Sequence, residues 1–177
     1  MHSRRLARAR RGGRGRIVSV IYEPKGRALE FADLALSVWQ GRMHRCDYCF
    51  NSTRPRSAYK SPEAMAEAMR PRDKVLEALA KESPKLAGDP RRILLQFTGD
   101  PYPRQEADVG VTRKALAILR DNNLSWDVLT KAGTLACRDF DLYEGTASRF
   151  AQTVVLYATY WLTDRLDLKF CARHCGR

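Results

Sequence analysis

The chain has 177 residues, 44% apolar and 29% charged, the make-up of about one soluble globular domain. No window approaches the ~18 uninterrupted apolar residues of a membrane-spanning helix; the best candidate, residues 151–162, is broken by Gln152, Thr153 and Thr159. Charge is the outlier, because 32 basic against 20 acidic side chains give +12.

Seven arginines fall in residues 1–16 with no acid among them, so the remainder carries 25 minus 20, or +5. With Gly12, Gly13 and Gly15 and little to bury, 1–16 reads as a disordered basic arm. It suits contact with the phosphates of DNA or RNA, or serves only to solubilise. No apolar stretch follows Arg4-Arg5 and no secretory pattern is present, so a cytoplasmic protein without membrane attachment is expected.

Residues 17–21 form a short β-branched run, and 22–26 (Y-E-P-K-G) read as a turn. Residues 34–39 (L-A-L-S-V-W) are a candidate strand leading into a cysteine-bearing loop. Residues 50–61 are polar and loop-like. Ser61, Pro62 and Glu63 then supply an N-cap, a proline at the first helical position and an early acid, and that helix must end before Pro71. A second helix is predicted over 73–82, with Val75, Leu76 and Leu79 on its apolar side.

Residues 93–97 make a short apolar strand that stops at Gly99-Asp100-Pro101. Val111, Ala115, Ile118 and Leu119 mark an amphipathic helix closed by Asn122-Asn123. Residues 126–129 are the next strand, ending at Thr130-Lys131. A helical turn is predicted over 138–143 and a last strand over 153–157. Strands alternating with helices from 34 to 157 predict a parallel α/β sheet of βαβ units. Polar residues collect just after the strands, at 42–49, 98–102 and 130–131. In such folds the carboxyl ends of the strands are where sites are built.

Five cysteines stand at 46, 49, 137, 171 and 175. An odd count without an export signal argues against a disulfide framework. Cys46 and Cys49 form a C-x-x-C pair, able to place two thiolates on one metal or cluster; a zinc half-site, a redox pair and bystander thiols share this spacing. Cys171, His174 and Cys175 would complete a zinc site only if the fold closed the distance from 49 to 171. Cys137 reads as a small buried apolar residue.

The segment around that pair, W-Q-G-R-M-H-R-C-D-Y-C-F, resembles the radical S-adenosylmethionine superfamily, most closely its spore photoproduct lyase-like branch. That branch reads strand, then Gly-Cys-x-x-x-Cys-x-Tyr-Cys, and Gly41, Cys46, Tyr48 and Cys49 match it. Residues 22–28, 35–38, 98–102, 112–116, 129–131 and 138–142 match further family segments in order, so the resemblance covers roughly 20–145. It implies a partial (βα) barrel of radical S-adenosylmethionine type, here truncated to about four βα units over 17–177.

It also implies a 4Fe–4S cluster, S-adenosylmethionine, and an electron donor such as flavodoxin or ferredoxin. The cluster would cleave S-adenosylmethionine reductively to a 5′-deoxyadenosyl radical acting on an unknown substrate, nucleic acid being favoured. Cys46 and Cys49 would be cluster ligands. Tyr48, Thr98, Gly99, Asp100 and Lys131 would contact the cofactor: Tyr48 the adenine, Asp100 the amino group, Lys131 the carboxylate or a substrate phosphate. Read without the resemblance, Tyr48 is equally a core aromatic, Asp100 a turn residue before Pro101 and Lys131 a solvated loop lysine.

Two features depart from the family. The first cysteine of the triad should stand at 42, where this chain has Arg42, and a guanidinium has no lone pair to offer iron. His44 is displaced by two positions. Beyond Tyr143 the resemblance fades. The rival expectation is therefore an inactive, truncated remnant that binds nucleic acid or zinc.

Overall fold

A computed structural model describes residues 19–25, 29–43 and 61–152. The arm at 1–16 and residues 153–157 lie outside them. The fold is mixed α/β around a five-stranded, mostly parallel sheet. Strand β1 (Ile21–Tyr22) pairs antiparallel with β2 (Leu34–Leu36). From β2 the sheet runs parallel through β5 (Ile93–Leu95), β6 (Trp126–Thr130) and β7 (Arg149–Gln152). Among the described residues the parallel strands follow one another in chain order with no reversal. A two-stranded antiparallel ribbon, β3 (Trp39–Gln40) with β4 (Arg70–Pro71), stands beside the sheet.

Helix α1 (Pro62–Glu67) begins as its sequence predicts: the Ser61 hydroxyl accepts from the Ala64 N–H at 3.2 Å, and Pro62 sits at the first turn. Helix α2 (Val75–Glu82) turns Val75 and Leu79 into the core and continues as a 3₁₀ segment, Ser83–Leu86. A short α3 (Glu106–Val109) precedes α4 (Val111–Asp121). Val111, Ala115, Leu116 and Leu119 fall on one buried stripe of α4. Each leucine so buried contributes roughly 1.5–3 kcal/mol. Asn122 caps the end and Asn123 takes φ +53°, a conformation asparagine tolerates.

Helices α2 and α4 cover one face of the sheet. The core cluster takes Ile93 and Leu95 from β5 and Trp126 and Val128 from β6, leaving Leu94 and Leu129 to the other face. Leu129 is 51% exposed. The strand alternation thus separates a helix-packed face from an open one.

Three boundaries differ from the sequence reading. The strand expected over 34–39 breaks after Leu36, because the Gln96 side chain takes both main-chain groups of Trp39: its Oε1 accepts from Trp39 N at 3.0 Å and its Nε2 donates to Trp39 O at 2.9 Å. Strand β7 at Arg149–Gln152 stands where the sequence reading placed no strand, the Asp127–Arg149 ion pair anchoring it across the Asp127↔Arg149 register; the strand expected over 153–157 lies outside the described residues. The helical turn expected over 138–143 is a longer 3₁₀ segment, Gly133–Tyr143. Among the described residues no helix is long and apolar enough to cross a membrane.

Candidate functional site

The open face and carboxyl ends of β5 and β6 border a cleft of about 480 Å³, a size ordinary for small-ligand sites. Arg42, Gly99, Asp100, Thr130 and Lys131 line its strand-end half, with Phe31 and Phe97 beside them. Those two rings pack with centroids 6.1 Å apart. Asp127 and Arg149 line it further along the strands. Asp127 is engaged there by Arg149 Nε at 2.8 Å and Arg92 Nε at 3.2 Å. Among the described residues the cleft wall carries three cations (Arg42, Lys131, Arg149) against two carboxylates (Asp100, Asp127), 3 minus 2, a formal +1. Lys131 also borders a second cavity, alongside Met43, Tyr102 and Leu135.

Two glycines bring the loops together. Gly41 has φ +84°, and a Cβ there would stand 2.7 Å from both Met65 O and Met69 N, so no other residue fits without moving α1. The next residue is tied to the same turn, Arg42 N donating to Met65 O at 2.9 Å. At Gly99 a Cβ would meet Gln96 Nε2 at 2.7 Å and Gly41 O at 3.1 Å. The start of the cysteine loop and the loop after β5 are therefore in backbone contact.

Asp100 ties the second loop to the third. Buried at 5% exposure, it accepts from Tyr102 N at 2.9 Å and Thr130 Oγ1 at 2.6 Å on one oxygen, and from Lys131 N at 2.8 Å on the other. Thr130 Oγ1 in turn accepts from Ala132 N at 3.0 Å. This arrangement makes Asp100 a positioning residue that sets where Thr130 and Lys131 stand, a larger part than the turn residue its sequence context allowed. Thr98, expected with Gly99 and Asp100, is exposed on the same loop outside the cleft wall.

A polar network, buried at Thr112, Glu106 and Asp139, holds these loops from below. Trp39 Nε1 donates to Thr112 Oγ1 at 3.0 Å, and that hydroxyl donates to Pro101 O. Glu106, fully buried, accepts from Thr112 N at 2.9 Å and Arg113 N at 3.3 Å, capping α4 in place of the side chain that Gly110 lacks. Arg138 pairs with Glu106 and also donates to Asp139, itself fully buried, at 3.0 Å. Arg113 bridges Asp139 at 3.0 Å and Asp141 at 2.7 Å. Its guanidinium, hydrogen-bonded to the Asp141 carboxylate, holds that carboxyl below its ordinary value. Burial pushes the Tyr102 and Tyr143 hydroxyls upward, so both stay neutral. The segments 112–116 and 138–142 thus meet as one ion network beneath the cleft.

Cys46, Tyr48, Cys49 and His44, with Cys171, His174 and Cys175, lie outside the described residues. Cys137 is buried, as expected, but disulfide-bonded, which corrects its reading as a plain apolar thiol; linear spacing does not show which sulfurs a fold brings together. Among the described residues no group of three or more His, Cys, Asp or Glu side chains is placed to hold a metal ion. Arg42 lines the cleft from the position where the resembled family has its first cluster cysteine. A guanidinium cannot ligate iron, so the residues present do not fit a cluster held by three cysteines of this loop.

Comparisons with protein-family models, curated proteins and solved structures find no match. Of the expected contact residues, Gly99, Asp100 and Lys131 come together. Phe31, Gln96, Asp127 and Arg149 are not among the expected residues, and Thr130 is expected only as a polar residue of the strand-end cluster. Thr130 had a usable signal, its place at a strand end next to Lys131. Gln96 had none, because its function depends on φ +59° and on the position of Trp39.

Proposed function

We propose that the chain is a radical S-adenosylmethionine-type domain whose strand-end cleft binds S-adenosylmethionine or a close nucleoside relative, and which lacks in its own cysteine loop the third thiolate that a 4Fe–4S cluster needs. One observation carries this reading: residues 41–42, 99–100 and 130–131, far apart in the chain, line or abut a single cleft at the carboxyl ends of parallel strands. These are segments through which the resembled family meets its cofactor.

The unreversed order of the parallel strands supports a barrel-wall connectivity over a doubly wound sheet, which needs a switch point. In this reading Gly99 lets backbone approach the ligand closely, Asp100 fixes the strand-end loop, and Lys131 faces a carboxylate. Phe31 and Phe97 offer an aromatic surface to the base. Cys46 and Cys49 would supply at most two thiolates, and no radical step is assigned to a site short of a ligand.

Anaerobic reconstitution of the native chain and of Arg42→Cys, with iron and sulfide measured per chain and electron resonance recorded with and without S-adenosylmethionine, tests the proposal. The native chain should fall well short of the ~4 irons of one cluster. Arg42→Cys should approach that number and give a signal altered by S-adenosylmethionine. Iron in neither chain would remove the radical S-adenosylmethionine reading, and a full cluster in the native chain would remove the claim of a missing ligand.

A further inference from the structure

Arg42 brings a permanent cation to the cleft wall, at the position where the resembled family carries a cysteine. Arg42 and Lys131 line the same strand-end half of the cleft, across the loop fixed by Gly99 and Asp100. Asp100, between them in the chain's loop order, is directed at two main-chain N–H groups and the Thr130 hydroxyl. Beside the cations stand Phe31 and Phe97. An anionic group that accepts a planar guanidinium, joined to a flat ring system, matches this pairing of charge and aromatic surface.

We infer that the cleft takes a phosphorylated nucleoside, its phosphate held by Arg42 and Lys131 and its base against Phe31 and Phe97. The inference rests on the proposed function for the nucleoside and goes beyond it in the phosphate. Arg42 is then a ligand-binding residue. The volume of about 480 Å³ is adequate for one mononucleotide.

The test is calorimetric titration of the full chain with adenosine 5′-monophosphate, adenosine and S-adenosylmethionine. The readout is the ratio of affinities for the monophosphate and for adenosine. The native chain should favour the monophosphate by about tenfold or more, as a charge-assisted contact gives, and added salt should shrink that ratio. Arg42→Ala should bring the ratio close to one, Lys131→Met should lower it, and Arg42→Lys should keep part of it.

If Arg42→Ala does not fold, the salt dependence of the native ratio and the Arg42→Lys value decide the matter. A native ratio near one, or a ratio indifferent to both salt and position 42, overturns the inference. S-adenosylmethionine binding with a ratio near one overturns it while leaving the proposed function standing. A high, Arg42-dependent ratio without S-adenosylmethionine binding supports it and counts against the proposed function.

Discussion

Replacing Glu106 by alanine should destabilise the protein by about 3 kcal/mol. Glu106 is fully buried, accepts from the first-turn N–H groups of Thr112 and Arg113, and pairs with Arg138. Loss of a helix cap costs about 1 kcal/mol. Removing one partner of a buried ion pair costs roughly 3–5 kcal/mol. The Arg138 side chain is 28% exposed, so water reaches the cation left behind and the pair falls below that range, to about 2 kcal/mol, which with the cap gives about 3. Against a total stability of roughly 5–15 kcal/mol this is a large share. At about 2–4 °C per kcal/mol for a chain of this size, the melting temperature should fall by roughly 6–12 °C.

Glu106→Gln keeps an acceptor for the helix N–H groups but loses the charge, and should cost about half as much. Urea unfolding of both variants, with Arg138→Met and the double variant, gives the coupling between the two side chains. A cost below about 1 kcal/mol for Glu106→Ala, or strictly additive effects with Arg138→Met, would mean that this network does not hold α4 beneath the cleft.

Gly41→Ala should destabilise by about 2–4 kcal/mol, from a positive φ and a Cβ driven against the Met65 and Met69 backbone; urea unfolding reads it, and a neutral variant would place the turn elsewhere. Asp100→Ala should cost about 2–3 kcal/mol by leaving the Lys131 and Tyr102 N–H groups without their buried acceptor. It should also abolish nucleoside binding, which titration calorimetry shows. The Asp89 carboxyl is lowered to about 2 by its hydrogen bonds from the Arg91 side chain. A depressed pKa stabilises above the unfolded carboxylate value and is lost as pH falls toward about 2. The penalty of Asp89→Asn should therefore be present at neutral pH and shrink between about pH 4 and 2 in acid-unfolding curves.

Helices α1, α2 and α4 were readable because each rests on local chemistry, whereas α3 at Glu106–Val109 carried no such signal. Ser61, Pro62 and Glu63 form a cap whatever surrounds them, and the spacing of Val111, Ala115 and Leu119 needs only an apolar neighbour. The central strands at 93 and 126 were readable as short apolar runs between turn residues. What local pattern does not encode is pairing between distant segments. The break at Trp39 follows from a glutamine 57 residues away. Strand β7 is a weak alternating R-F-A-Q whose place depends on Asp127 in the neighbouring strand.

The same division holds at the cleft. Gly99, Asp100 and Lys131 were legible as strand-end residues. Asp100 was expected to face the ligand, yet its carboxylate fixes two loops, because the Thr130 hydroxyl and Lys131 N–H that it meets come within reach only once β5 and β6 lie side by side. Arg42 was legible only as a departure from a motif; its place in the cleft wall gives it a chemistry of its own.

Amide NMR spectra of the isotope-labelled full chain during titration with S-adenosylmethionine locate its binding surface residue by residue. Shifts concentrated on Arg42, Gly99, Asp100, Thr130 and Lys131, with α2 unmoved, are what the cleft assignment requires. Saturable binding whose shifts fall away from these loops, or no shifts at all, would contradict it.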